Sequence, residues 1–545
     1  NPRYFVGPVA AVVFENDSTV VLTVRNPATG YSTTATIQVV VSDWVGSTDF
    51  YLSNIGNDSW TGRCRMYDGN TCGPFRTWKK GLDTLVGVPG GTDGRRLLVE
   101  RGYTDTLTAS VNNNPNTLRD GPYLITTIGT GPQPVVNGAG FGVFLGQGSD
   151  LRLEGITFTN NLNTDPFSSN YSKSLIRNLV LDGGSTLTVI YGSDIVVADN
   201  VFRNASKYNI FGIGGADFNH NPIGPEINQI RRAYIANDSS KFSGADTGHR
   251  IAIHRGVVAY NRLEAGGTTR SILRFAPDGA NAVYEKIFVA YNAFIRSSGA
   301  TVDSVVWHTY QCHVGFPWAL GGCLTYVDNE LYEGNYFGTT DGVGTIAIDS
   351  PWSVQNYVRS ATVRNNIFNN FSRTYYQGKG DKVAIYNNTV YNAGGNNLSE
   401  VFKSSATNGA GTPVGGTAVL DIRNNLIYAP TSSFTFVSNS GPNAGTGNQI
   451  TNSNNLLIRP GSPLSVQFMS TIFPGLDFLR PTASSATVIN QGVSVKLFKD
   501  YTGNPRPLPF GGAYDIGAYE YDDGASDTTP PSVTNPEPVG QQLAG

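Results

Sequence analysis

The chain has 545 residues, a formal net charge of -3 and only 14% charged residues, set against 64 glycines. That balance offers no basic surface and so excludes a nucleic-acid partner. With Gly, Asn and Thr in place of charge, it favours turns and strands over helices.

No apolar run reaches the roughly 18 residues a membrane-spanning helix needs. Phosphate loop, GxSxG elbow, HExxH and EF-hand patterns are all missing, so neither a cofactor nor a metal is expected. No signal peptide is read at the start, and Asn1 begins in mid-strand style, as if something upstream had been removed or left out. Residues 20–43 read "VVLTVRNPATGYSTTATIQVVVSD", two alternating strands around the turn "NPATG", which is a hairpin signal. The stretch resembles the last strands of immunoglobulin-like or PKD-type bacterial surface domains. Such a sandwich needs about seven strands, and residues 1–43 supply three or four. An apolar edge over Val20, Leu22, Val24, Ile37, Val39 and Val41 is therefore expected to require a partner.

Further on, "GPFRTWKKGLDTL" (73–85) spaces Phe75, Trp78, Leu82 and Leu85 as one face of a short helix near 76–85, with Thr77 as its N-cap. Strands resume at "RRLLVERG" (95–102). The four cysteines fall in two close pairs, Cys64/Cys72 and Cys312/Cys323. Zinc knuckles use shorter spacings, so two local disulfides and an oxidising, extracytoplasmic setting are expected, four free buried thiols being the alternative.

A repeat then dominates the sequence. It reads "VVADNVF" with Asn200, "VVAYNRL" with Asn261, "FVAYNAF" with Asn292 and "LYEGNYF" with Asn335. It continues as "TVRNNIF" with Asn366, "AIYNNTV" with Asn388, "DIRNNLI" with Asn425 and "TNSNNLL" with Asn455. An apolar strand, an Asn, then apolar residues again describes a turn in which Asn tolerates the left-handed conformation and bonds along a stack of equivalent turns. Gly155 in "LRLEGITF" is expected to hold the Asn position one stretch earlier, and the longer spacings are expected to carry insertions.

Residues 49–521 resemble the right-handed parallel β-helix superfamily of bacterial surface proteins and polysaccharide-acting enzymes. "DFLRPTASSATVINQGV" (477–493) and "DYTGNPRPLPFGGAYDIGAYEY" (500–521) resemble the terminal motif of choice-of-anchor Q proteins, which are extracellular. The expected fold is all-β: a right-handed parallel β-helix over 44–523, preceded by an incomplete Ig-like β-sandwich segment over 1–43 and followed by a Pro-rich tail over 524–545.

Chemistry concentrates in a few places. All five histidines (His220, His249, His254, His308 and His313) lie in the middle of the chain. "GADTGHRIAIHRG" (244–256) gathers Asp246, His249, Arg250, His254 and Arg255. Read as one strand, it turns Ile251 and Ile253 inward and Arg250 and His254 outward. A lyase would use such groups to neutralise a uronate carboxylate and abstract the neighbouring proton; surface Arg and His on a long exposed sheet are also ordinary. Paired carboxylates for hydrolysis would have to come from Asp217, Glu226 and Asp246. A second cluster, residues 305–337, offers Trp307, Tyr310 and Trp318 as an aromatic surface, or as a disulfide-pinned loop packed on itself.

Two functions remain open. One is an extracellular structural or adhesive subunit that self-associates head to tail, the tail's Pro531, Val533, Val539 and Leu543 completing the sheet of the next copy's residues 4–43. The other is a lyase or hydrolase acting on an acidic polysaccharide.

Overall fold

The computed structural model describes residues 17–25, 32–40, 48–87, 94–111, 122–148, 150–161, 167–171, 173–191, 194–213, 230–242, 247–275, 283–308, 325–339, 345–349, 356–371, 375–392, 398, 400–405, 419–439, 449–475, 477–507 and 512–522. It is a right-handed parallel β-helix. Each coil runs through three strands that lie on three faces. Ile253–Ala259, Arg262–Ala265 and Thr268–Phe275 make one coil; Ile287–Ala290, Ala293–Arg296 and Thr301–His308 make the next. Successive coils pair in parallel, Val258 opposite Val289 on the first face, Leu263 opposite Phe294 on the second and Leu273 opposite Val306 on the third.

Alternation decides what fills the bore. Val197, Ile235, Val258 and Val289 point inward from the first face, Phe294, Phe337 and Phe368 from the second, and Leu273, Val306 and Ile348 from the third, all nearly inaccessible. The three phenylalanines stack with centroids 5.0 Å apart. Each such side chain contributes about 2 kcal/mol by leaving water.

The turn from the first face to the second carries the asparagines as an internal ladder. In each rung the Asn backbone N–H and Nδ2 both donate to the next Oδ1: 3.0 and 2.9 Å from Asn292 to Asn335, and 2.9 and 3.0 Å from Asn366 to Asn388. Nδ2 also reaches back to a carbonyl of the preceding coil, as from Asn261 to Ile235. The left-handed residue is the one before the ladder position, not the ladder Asn itself: Tyr260, Tyr291, Asn365, Asn387 and Asn424 all have φ between 51° and 59°. Gly155, with φ 75°, therefore matches that preceding position, and Ile156 follows it where a ladder Asn would stand. The long interval between Asn200 and Asn261 holds a complete coil, whose ladder residue is Asp238.

Trp78–Gly87 is the expected helix and plugs the open N-terminal end. Thr77 Oγ1 accepts from Lys80 N at 3.2 Å, and Asp105 accepts from Trp78 N at 2.7 Å, satisfying donors of the first turn. Trp78, Leu82 and Leu85 are buried, Trp78 edge-on to Phe158 at 5.5 Å. Cys64–Cys72 is a disulfide with Cα atoms 5.4 Å apart; Cys312 and Cys323 lie outside the described residues.

Ser18–Arg25 and Ser32–Val39 form an antiparallel hairpin, Val20 opposite Ile37 and Ser18 opposite Val39, in a two-stranded sheet of its own. Leu22 and Ile37 are 61% and 64% exposed. The hairpin alone is described; Val41 and the tail residues Pro531, Val533, Val539 and Leu543 lie outside the described residues.

After the last coil the chain folds back over the outer surface of the second face. Val466, Val488 and Ile516 pack on Leu426, Leu456 and Ile458, and Phe478, Leu479 and Tyr519 pack around Tyr336 and Ile367. This strap explains the doubled asparagines. The second of each pair builds the ladder, and the first points outward to hold the strap. Asn365 donates to Lys499 O (2.7 Å) and Asn387 to Asp515 O (2.9 Å), while Asn424 both donates to Val493 O (2.7 Å) and accepts from Val493 N (2.9 Å).

Candidate functional site

Because coils stack in register, outward residues of the third face form columns along the axis. Arg250 is opposite Arg274, Arg274 opposite Trp307, and Trp307 opposite Asp349. The column continues through position 377 to Lys403. With about 4.8 Å between parallel strands, Arg250 and Lys403 lie about 24 Å apart along one line. Arg274, 3% exposed, sets its guanidinium 4.8 Å from the Trp307 ring centroid. Desolvation makes such a pair worth about 2 kcal/mol, with both groups fixed. Asp349 accepts from Ser304 Oγ at 3.1 Å, and Lys403 stands 3.3 Å from Glu400. Arg250, Trp307, Asp349 and Lys403 are half-buried. Arg250, the Trp307 ring plane and Lys403, with Asp349 and Gln377 between them and Arg274 buried against the ring, suit an extended polymer that carries carboxylates and ring faces.

The residues expected at the site divide here. Thr247–Ile251 belongs to the third face and Ile253–Ala259 to the first, so the supposed single strand turns a corner at Ala252. Ile251 and Ile253 are buried, Arg250 and His254 half-buried and Arg255 exposed. His249 is removed from the surface: it faces the core edge-on to Phe202, at 5.7 Å between ring centroids, and burial pushes its pKa down to about 3. Inward alternation from Arg250 is the physical reason.

His308 is also internal. It stacks on Phe275, and its Nε2 lies 2.7 Å from Glu330 Oε1, which accepts from Tyr332 OH at 2.8 Å. Among the described histidines, His254 alone keeps an accessible part. Asp246, His220, His313, Asp217, Glu226, Tyr310 and Trp318 lie outside the described residues. No group of three or more His, Cys, Asp or Glu among the described residues is placed to hold a metal.

Sequence reading found Arg250 and Trp307 but missed Arg274, Asp349 and Lys403. Their common signal is a position near the end of a third-face strand, and unequal stretches joining the third face to the first hide it.

No family model matches the chain, and no curated protein does. Two solved structures are similar to it. One is the crystal structure of pectate lyase Pel9A, with 13% identity and a TM-score of 0.32, covering 87% of this chain and 96% of that one. The other is a rhamnogalacturonan lyase, with 13% identity and a TM-score of 0.35, covering 80% of this chain and 97% of that one.

Proposed function

We propose that this chain is an extracellular, cell-surface β-helix that holds an acidic polysaccharide along the outer surface of its third face. The observation that carries the reading is the Arg250–Arg274–Trp307 register, with Arg274 held over the Trp307 ring. Register sets successive side chains about 4.8 Å apart along one line, parallel to an extended polymer. The Cys64–Cys72 disulfide and the likeness of residues 477–521 to choice-of-anchor Q proteins support an extracellular setting.

Calorimetric titration with polygalacturonate or alginate is expected to give binding that weakens with salt, with neutral dextran giving none. Arg274→Ala is expected to weaken it tenfold or more. Equal binding of dextran, or an Arg274→Ala variant that binds like the wild type, would contradict the reading. In the catalytic form of this reading the polymer crosses the corner at Ala252 to reach His254 on the first face. His254 takes the proton next to the uronate carboxylate, Arg250 and Arg255 neutralise that carboxylate, and the glycosidic C–O bond one carbon further on breaks, its oxygen leaving with a proton from water. This form requires unsaturated product, seen as ultraviolet absorbance, that disappears in His254→Ala.

A second reading is self-association through the hairpin. The exposure of Leu22 and Ile37 favours it, since a two-stranded sheet with open faces is marginal by itself. Strand donation from residues 530–543 of another copy would cover it. Electron microscopy of the purified protein tests this: filaments that vanish when 526–545 are deleted are expected, and filaments that persist, or uniformly single particles, refute it.

A further inference from the structure

Asp238 stands where every neighbouring rung from Asn200 to Asn455 has an asparagine. Its Oδ1 behaves as an Asn Oδ1 does, accepting from Asn200 N at 2.8 Å and Asn200 Nδ2 at 3.0 Å. Its own N–H donates to Asn261 Oδ1 at 2.8 Å, which keeps the ladder in register. The difference lies in Oδ2. At the other rungs that place belongs to Nδ2, which donates forward to the next Oδ1 and back to a carbonyl: Asn200 to Ile176 O, Asn261 to Ile235 O and Asn292 to Val258 O. In that register Val197 lies between Ile176 and Ile235. The corresponding neighbours of Asp238 Oδ2 are thus Val197 O and Asn261 Oδ1, both acceptors. Oδ2 is buried and makes no hydrogen bond to a donor. A carboxylate would set a third negative oxygen against them in a site that is 1% exposed.

We propose that Asp238 is the proton-holding rung of the ladder: its carboxyl is the uncharged acid, its O–H donates from the place of Nδ2, and loss of that proton loosens the joint between the coils of Asn200 and Asn261. Burial raises this carboxyl to about 8, and neighbouring Asp199 adds to the rise. Charged and titratable groups flanking the rung are Asp199 on the preceding turn and Tyr260 and Arg262 on the following one, Arg262 being directed to Glu264 at 3.8 Å. A pKa raised in the fold gives stability that is complete below the ordinary carboxyl range and is lost as pH climbs through about 8. The coil concerned also carries Arg250, so the joint lies at one end of the candidate column.

The test is Asp238→Asn, which supplies the missing second donor. Between pH 5 and 8 the folding equilibrium constant of the wild type is expected to fall relative to the variant by up to about tenfold per pH unit. The infrared difference spectrum, wild type minus variant, is expected to contain a protonated-carboxyl band at pH 7. A carboxylate band there, or parallel pH profiles, would overturn the proposal. A local measurement on the wild type stands independently of the variant. Amide exchange over residues 236–240 is expected to accelerate between pH 7 and 9 beyond that of the turn at Asn292, and identical acceleration at both turns would also overturn it.

Discussion

The second and third faces are built from the same coils, yet their outer surfaces are put to opposite use. On the second face, the outward line from Tyr336 to Leu456 is apolar except at Thr389, whose hydroxyl accepts from Ala518 N of the strap that covers the line. On the third, the line from Arg250 to Lys403 is polar throughout, with four charged residues, Trp307 and Gln377. Which coils the strap covers follows from one residue on the turn from the first face to the second. Where the left-handed position is Asn, as at 365, 387 and 424, an amide is available to grip passing backbone. Where it is Tyr260 or Tyr291, two rings stack on each other 5.4 Å apart instead. A repeat that must keep its inside constant is thus free to vary its outside turn by turn.

The strap's closing motif is the sharpest place to break this contrast. Arg506 and Glu520 lie 3.3 Å apart with no exposed side-chain surface, and Asp500 and Asp515 crowd the same guanidinium. Arg506→Ala leaves three buried carboxyls without a cation and is expected to cost about 4 kcal/mol. Limited proteolysis should then release the strap while the coils resist; an intact strap would show that the ion cluster does not hold it.

Next in size is Asn366→Ala, which strips partners from Asn335 N–H and Nδ2 and from Tyr332 O, a loss of about 3 kcal/mol read from the denaturant midpoint. Its neighbour-type variant Asn424→Gly keeps the left-handed turn at φ 57° and removes the outward amide, at an expected cost of about 1.5 kcal/mol, with the loss confined to protease sensitivity of 466–521. Equal and global effects of the two would erase the distinction between inner and outer asparagines.

The smallest effect is one of pH. Burial raises Glu520 to about 8, against the lowering influence of Arg506. Glu520's own contribution to holding the strap is accordingly complete below the ordinary carboxyl range and declines as pH rises through about 8. Proteolysis should speed up across that window in the wild type and not in Glu520→Gln.

Much of this was legible in the sequence. The Asn repeat identifies the coils because a buried amide ladder tolerates few substitutes, and Trp78, Leu82 and Leu85 mark the plug because helical spacing is local. Asp238 escaped because it breaks the repeat's own rule, although "IANDSSKF" keeps the apolar frame. The strap's role escaped because its partners are far away in sequence, Asn365 to Lys499 being separated by 134 positions. The third-face column escaped for the same reason: strand register, not sequence distance, aligns Arg274 with Trp307.

Hydroxyl-radical footprinting with and without saturating polygalacturonate tests the central assignment most directly. Trp307 should lose most of its oxidation when the polymer binds, while Tyr67 on the disulfide loop and Phe498 on the strap, both exposed, should be unchanged. Unchanged oxidation of Trp307, or protection centred on Tyr67 or Phe498, would contradict the third face as the binding surface.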